Sequence, residues 1–305
     1  MTTISSGIQA NMTFWSARLF KKIEKRGFSN VRNVVTVTSD GEKYAAFARK
    51  INTDKDYSQP LLDSNLIEEK LDRAIHNTDD RVLAVIENGD ITGLFVLLVI
   101  DDEKYVEITM GLSKSKEAYT ELFDYLSQYF NGYQIDFSFN PCNEILRNNL
   151  EEKSAVFRVE QQKMVLKRIP ETTDMSGIES IDDQYTEGYL AIHDTSNYWT
   201  GERVLEDSDR FHVLVAVEEH EVVGYLDLTK NYEENEPYDV FVKEECRRKG
   251  YGKKLLAKAI ELNKPKGMSL MVDVDNVPAI RLYTSMGFEE VEGQNCVYAT
   301  WQVEK

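Results

Sequence analysis

The sequence is short of cysteine, histidine and proline, and it has no long apolar run. Its three cysteines, Cys142, Cys246 and Cys296, are odd in number and far apart. This excludes a disulfide framework and points to reduced thiols in a cytoplasmic protein. The four histidines, His76, His193, His212 and His220, share no ligand spacing with the cysteines, so no metal site is expected. The longest apolar run, Leu94 to Ile100, is strand-sized and far below the ~20 residues a membrane-spanning helix needs. Met1 to Asn11 is polar and lacks the basic-then-apolar order of a secretory signal, so no membrane partner is expected. Positive charge is scarce too: 36 Lys and Arg against 53 Asp and Glu give a formal net charge of −17. Phosphate-rich partners need net or local positive charge, which argues against nucleic acid. The same acidic field favours a cationic small molecule by electrostatic steering.

What is present is a weak internal repeat in a chain of 305 residues, long enough for two ordinary domains. Arg81 to Glu87, a polar turn, and Ile91 to Leu94 align without a gap with Val213 to Glu218, a turn, and Val222 to Tyr225. The offset is 131 residues. Each copy reads as a hairpin, followed by a strand, an amphipathic helix and a strand ending near asparagine (Asn140, Asn276). Aromatic strands, Val156 to Ile169 and Cys296 to Val303, are expected to close each unit. The expected fold is α/β (α+β): two tandem domains, 1–169 and 170–305, each a mixed, mostly antiparallel sheet flanked by helices. Pro170 to Asp183 has the composition of a linker. Tyr185 to Asp209 reads as two short helices whose aromatics Tyr185, Tyr189, Tyr198 and Trp199 pack a core or wall a pocket.

The chemistry is concentrated in Phe241 to Leu256. There a glycine-punctuated turn, Arg247-Arg248-Lys249-Gly250-Tyr251-Gly252, joins an apolar strand to a helix. N–H groups at a helix start lack intrahelical partners and sit at the positive end of the helix dipole. Glycines at 250 and 252 admit a phosphate close to the backbone, and five of the eight residues from Arg247 to Lys254 are basic. A pyrophosphate site fits this pattern. A nucleotide P-loop would need glycine at 247 and Ser or Thr at 254, where Arg247 and Lys254 stand. A helix start that is basic by accident is the alternative.

The loop resembles the R/Q-x-x-G-x-G/A signature of the GNAT acetyltransferases. A second segment, Asn276 to Phe288, resembles the other signature of that family, with Ala279, Leu282, Tyr283 and Gly287 in matching order. The likeness covers about residues 170 to 305. It implies acetyl-CoA as cosubstrate and direct transfer to an amine without a covalent acyl-enzyme. It further implies that the backbone of Phe241 and Val242 pairs with the pantetheine arm. Arg247, Arg248, Gly250, Tyr251, Gly252 and Lys253 would hold the pyrophosphate, Asn276 would contact the arm, and Tyr283 would be the general acid. Asp239 is the favoured general base, with Asp227 and His193 behind it. The acceptor expected is a primary amine on a small molecule; a protein N-terminus or lysine, or a CoA-binding sensor without turnover, are alternatives. A homo-oligomer is compatible with the sequence. The first copy reads Leu112 to Tyr119 where the glycine loop should stand, and is expected to bind no cofactor.

Overall fold

The computed structural model describes residues 32–39, 41–60, 62–170, 174–195 and 199–304. The first unit runs β1 (Arg32–Thr36), α1 (Gly41–Asn52), α2 (Ile67–His76), β2 (Asp80–Glu87), β3 (Asp90–Ile100), β4 (Tyr105–Ser113), α3 (Lys116–Tyr129), β5 (Gln134–Phe139), α4 (Glu144–Glu152) and β6 (Val156–Phe157). After β7 (Gln161–Leu166) the second unit begins with β8 (Ile178–Ser180), α5 (Asp183–Ile192), α6 (Gly201–Glu206), β9 (Phe211–Glu218) and β10 (Glu221–Thr229). It continues with β11 (Glu234–Asn235), β12 (Pro237–Val242), α7 (Tyr251–Asn263), β13 (Gly267–Asp273), α8 (Val277–Ser285), β14 (Phe288–Glu290) and β15 (Val297–Gln302). The architecture is the expected one: mainly antiparallel sheets flanked by helices.

The repeat is real at the level of single residues. β2 and β9 begin and end 131 positions apart, and so do the starts of β3 and β10. Both hairpins turn on two residues of positive φ, Asn88 (53°) and Gly89 (95°) in one, Glu219 (51°) and His220 (71°) in the other. Two left-handed residues in succession match the right-handed twist of the flanking strands, which is why such short hairpins choose them. Buried stripes then place α3 against the first sheet and α7 against the second: Tyr119, Leu122, Phe123 and Leu126 in one case, Leu255, Leu256, Ala259 and Ile260 in the other.

The closing strands are exchanged, which corrects the reading in which each unit closes itself. The first sheet has the order β1-β2-β3-β4-β5-β15-β6, so the C-terminal strand of the chain completes the N-terminal sheet. Conversely β7 lies between β13 and β14. Trp301 of β15 packs edge-on against Phe123, 5.3 Å away, and Met164 of β7 is buried in the second core. Alternating apolar residues fix which face of a strand is buried, but not which strand it pairs with. Pro170 to Asp183 is likewise more than a linker, since it contains β8, paired with β9 through Ile178↔Ala216.

In the second unit the sheet β12-β10-β9-β8 ends at β12, while β13 belongs to a different sheet, β11-β13-β7-β14. Among the described residues, one edge of β12 therefore has no strand partner. This opening positions the site.

Candidate functional site

The loop after β12 begins with a single 3₁₀ turn, Glu244–Cys246, and then passes Arg248 at φ 66° and Gly250 at φ 94° before α7 starts. Gly250 is the N-cap and supplies no side-chain cap, so the first N–H groups of α7 are left to an external acceptor. A methyl group at Gly250 would meet nothing within 4 Å; the position faces open space. Gly252 lies inside α7, where a Cβ would come within 3.1 Å of Leu282. It therefore also lets α8 approach.

A cavity of about 490 Å³ opens here, within the range of small-molecule sites. Phe241, Val242, Arg247, Arg248, Gly250, Tyr251, Gly252, Lys253 and Asn276 all line it. Val240, Cys246 and Pro278 also line it and carry no motif signal of their own, while Ala279 and Leu282, matched in the second signature without a wall role, prove to be part of the wall. The basic cluster divides. Lys249 pairs with Glu218 at 2.8 Å and Lys254 with Asp174 at 2.7 Å. Arg247, Arg248 and Lys253 remain around the cavity. Arg247 is oriented by its Nε, which donates to the Val242 carbonyl at 3.0 Å. Asn276 spends its Oδ1 on capping α8, accepting from the Ala279 N–H at 3.2 Å.

The first unit treats the corresponding opening differently. Gly111 of β4 precedes Val242 by the same 131 residues. β4 and β5 pair in parallel only as far as Ile108↔Phe137. Beyond that point the buried Gln59 carboxamide bridges them, accepting from the Gly111 N–H at 3.0 Å and donating to the Ser138 carbonyl at 2.8 Å. Asn140 donates to the Lys55 carbonyl at 2.8 Å, and Lys114 pairs with Asp54. The segment from Asp54 to Gln59 thus fills the gap that is open in the second unit.

Within the same sheet, where β10 pairs with β12, the three candidate bases come together. Asp227 of β10 stands directly across from Asp239 of β12. His193, the residue that ends α5, places its Nε2 at 2.9 Å from Asp227 Oδ2. Tyr189 donates its hydroxyl to Asp227 Oδ1 at 3.0 Å, and Tyr225 donates to Asp239 Oδ2 at 2.8 Å. The ligand-capable atoms of His193, Asp227 and Asp239 lie within 4.8 Å of one another, a constellation the expectation of no metal ligands did not foresee. Burial pushes the Asp227 carboxyl up, against the opposing pull of His193 and Tyr189. Burial alone would push His193 down, but its bonds to Asp227 and to the Asp194 carbonyl outweigh it and leave its pKa above the usual histidine value. Of the aromatics at this end, Tyr189 is buried and Tyr185 and Trp199 pack partly buried beside it; Tyr198 lies outside the described residues.

Tyr283 projects from α8 and packs against Phe288 at 5.8 Å. Burial first, then the charges of Asp239 and Glu236, push its phenol up to about 12. Glu236, which no sequence argument singled out, is itself pushed up by burial. A recess of about 660 Å³ beside Trp301 has neither glycine loop nor paired carboxylates; there Lys153 sits over the Trp301 ring.

Residues 178–288 match the profile of the "Acetyltransferase (GNAT) family". The match starts at β8 and ends at β14, leaving out both exchanged strands. A GCN5-related N-acetyltransferase from Sphaerobacter thermophilus has a similar structure, with TM-score 0.64 and 13% identity over 89% of this chain and 96% of that one. A tandem GNAT protein from the clavulanic acid biosynthesis pathway gives 0.56 and 11%, over 90% and 99%. An acetyltransferase-like protein from Pyrococcus horikoshii gives 0.54 and 13%, over 92% and 95%. A search of curated protein sequences finds no significant match. No helix among the described residues is long and apolar enough to cross a membrane. Residues 178–288 therefore match the GNAT acetyltransferase family, and the chain as a whole has the fold of a tandem GNAT protein, its first unit repeating the fold without the glycine loop.

Proposed function

We propose that this chain transfers an acetyl group from acetyl-CoA directly to a primary amine of a small molecule. The observation that carries this reading is the cavity at the unpaired edge of β12, which ends against an uncapped helix start and three basic side chains. A strand edge offers alternating N–H and C=O groups to the amides of a pantetheine arm, as it would to another strand. Arg247, Arg248, Lys253 and the N–H groups from Gly250 to Gly252 suit a pyrophosphate.

Catalysis on this plan is mainly positioning. Asp239 pairs with the incoming ammonium and takes its proton. The free amine attacks the thioester carbon, a C–N bond forms, and the C–S bond breaks. A β12 N–H group stabilises the carbonyl oxygen as it gains charge. Tyr283 gives its proton to the departing sulfur, the new amide nitrogen then gives up its second proton to restore the phenol, and Asp239 releases its proton to solvent. The acidic surface favours amines that arrive as cations, but it decides nothing about their shape.

Thiol release from acetyl-CoA, measured against small primary amines and against short peptides, tests the reading. Release is expected with small amines and not with peptides, and the intact mass of the protein should be unchanged by acetyl-CoA alone. Peptide-only turnover would move the acceptor to a protein. Tight acetyl-CoA binding with no turnover on any amine would make the chain a sensor.

A further inference from the structure

His193 has one feature that the acetyl-transfer scheme leaves unused. Both of its ring nitrogens face groups that only accept. Nδ1 lies 2.9 Å from the Asp194 carbonyl, and Nε2 lies 2.9 Å from an Asp227 carboxylate oxygen. A neutral imidazole has one donor nitrogen, whereas the imidazolium has two. The geometry therefore suits the charged ring. One face of the ring also stacks on Tyr225 at 4.7 Å with an interplanar angle of 14°, the arrangement in which an aromatic face steadies a cation.

The need for a cation is equally visible. Asp227 and Asp239 face each other across neighbouring strands, a placement that is destabilising for like charges. Asp227 is wholly buried, so water does not relieve it. Around the pair stand Tyr189 from α5, Tyr225 from β10, Tyr238 from β12 and Tyr283 from α8, none of which is positive. Glu202 of α6 adds a further carboxylate that feels His193. Among these groups, His193 is the cation.

We propose that His193 is the internal counter-ion of the facing carboxylates Asp227 and Asp239, a positioning residue that keeps Asp239 available to the acceptor amine. It does not itself take the amine's proton: its ring is already doubly engaged, and its side chain is 2% exposed. The connection runs from α5 to the cleft at β12 through a chain of direct contacts. His193 holds Asp227, its ring supports Tyr225, and Tyr225 both donates to Asp239 and stacks on Phe241 at 5.8 Å. This rests on the reading of Asp239 as the base.

The test is the pH dependence of kcat/KM in the full chain, with acetyl-CoA and a responsive amine. Coupled groups titrate together, so the acid limb of the profile belongs to the cluster. Removing a positive charge within ~4–6 Å of carboxylates makes them harder to ionise, by about 1–3 pH units. His193→Gln is therefore expected to move the acid limb to higher pH by that amount, with the rate above the limb falling only a few-fold. Tyr225→Phe keeps the ring and removes one hydrogen bond to Asp239, so the limb should move the same way by less. It also serves should His193→Gln fail to fold. If both variants lower the rate by the same factor at every pH, leaving the limb in place, the counter-ion role is wrong. Asp239→Asn separates the two claims. Wild-type rates in that variant would remove the base assignment itself. Impaired rates, with unshifted His193→Gln and Tyr225→Phe profiles, would remove only the counter-ion.

Discussion

Tyr283→Phe is expected to lower kcat by about 10²-fold while leaving the KM for acetyl-CoA nearly unchanged, since general-acid groups typically contribute 10²–10⁴. The substitution is structurally mild. The ring packs on Phe288 at 5.8 Å, a contact that phenylalanine keeps. The loss would fall on the step in which sulfur leaves, because the proton for that step is missing, and kcat and kcat/KM should fall together. The phenol's pKa fixes the pH range. A tyrosine pushed up to about 12 by burial, Asp239 and Glu236 keeps its proton through neutral pH, so it is present as an acid wherever the enzyme would work. Ionisation of Tyr283 should contribute no alkaline loss of activity below about pH 11. Equal kcat in the variant and the parent would remove Tyr283 from the mechanism.

The largest expected effect on stability comes from Gly287→Ala. Gly287 ends α8 at φ 93°, and a Cβ there would lie 1.8 Å from the Arg168 carbonyl oxygen. Arg168 is the second residue beyond the exchanged strand β7, and its N–H donates to the Gly287 carbonyl at 3.2 Å, beside the Lys167 N–H at 3.0 Å. Backbone cannot give way as a flexible side chain would. The left-handed conformation costs about 1–2 kcal/mol for an L-residue, and disruption of the two hydrogen bonds adds about 1 kcal/mol each. A total of about 3–4 kcal/mol should lower Tm by on the order of 10 °C. Gly293→Ala is the control: it also has positive φ, 75°, but nothing lies within 4 Å of its added methyl. It should cost about 1 kcal/mol. If thermal melts show equal losses for the two variants, the junction between the exchanged strand and α8 is not what holds Gly287.

Much of this arrangement is written in short-range signals. The hairpins are legible because the turns are two residues long and the flanking residues are apolar. The loop is legible because glycine and basic side chains between a strand and a helix have few other physical meanings. What stays hidden depends on partners remote in sequence. β7 and β15 are recognisable as strands, but nothing in Gln161 to Leu166 states that Asp273 to Ser269 runs beside it. Lys249 and Lys254 count towards the basic cluster in the sequence, and only the fold brings Glu218 and Asp174 from distant segments to pair with them. His193, Asp227 and Asp239 can each be suspected alone. That the histidine faces acceptors on both sides is a property of the fold. Gln59, a single polar residue in a loop, gives no sign that it bridges Gly111 and Ser138.

The two units end with opposite treatments of one opening: the second leaves the edge of β12 to a cavity, and the first fills the gap between β4 and β5 with its own chain. Calorimetric titration of the full chain with acetyl-CoA tests that contrast most directly. One molecule per chain is expected, with Arg247→Ala weakening binding and Gln59→Ala leaving the stoichiometry at one. Two molecules per chain, or binding that survives undiminished in Arg247→Ala, would contradict the account.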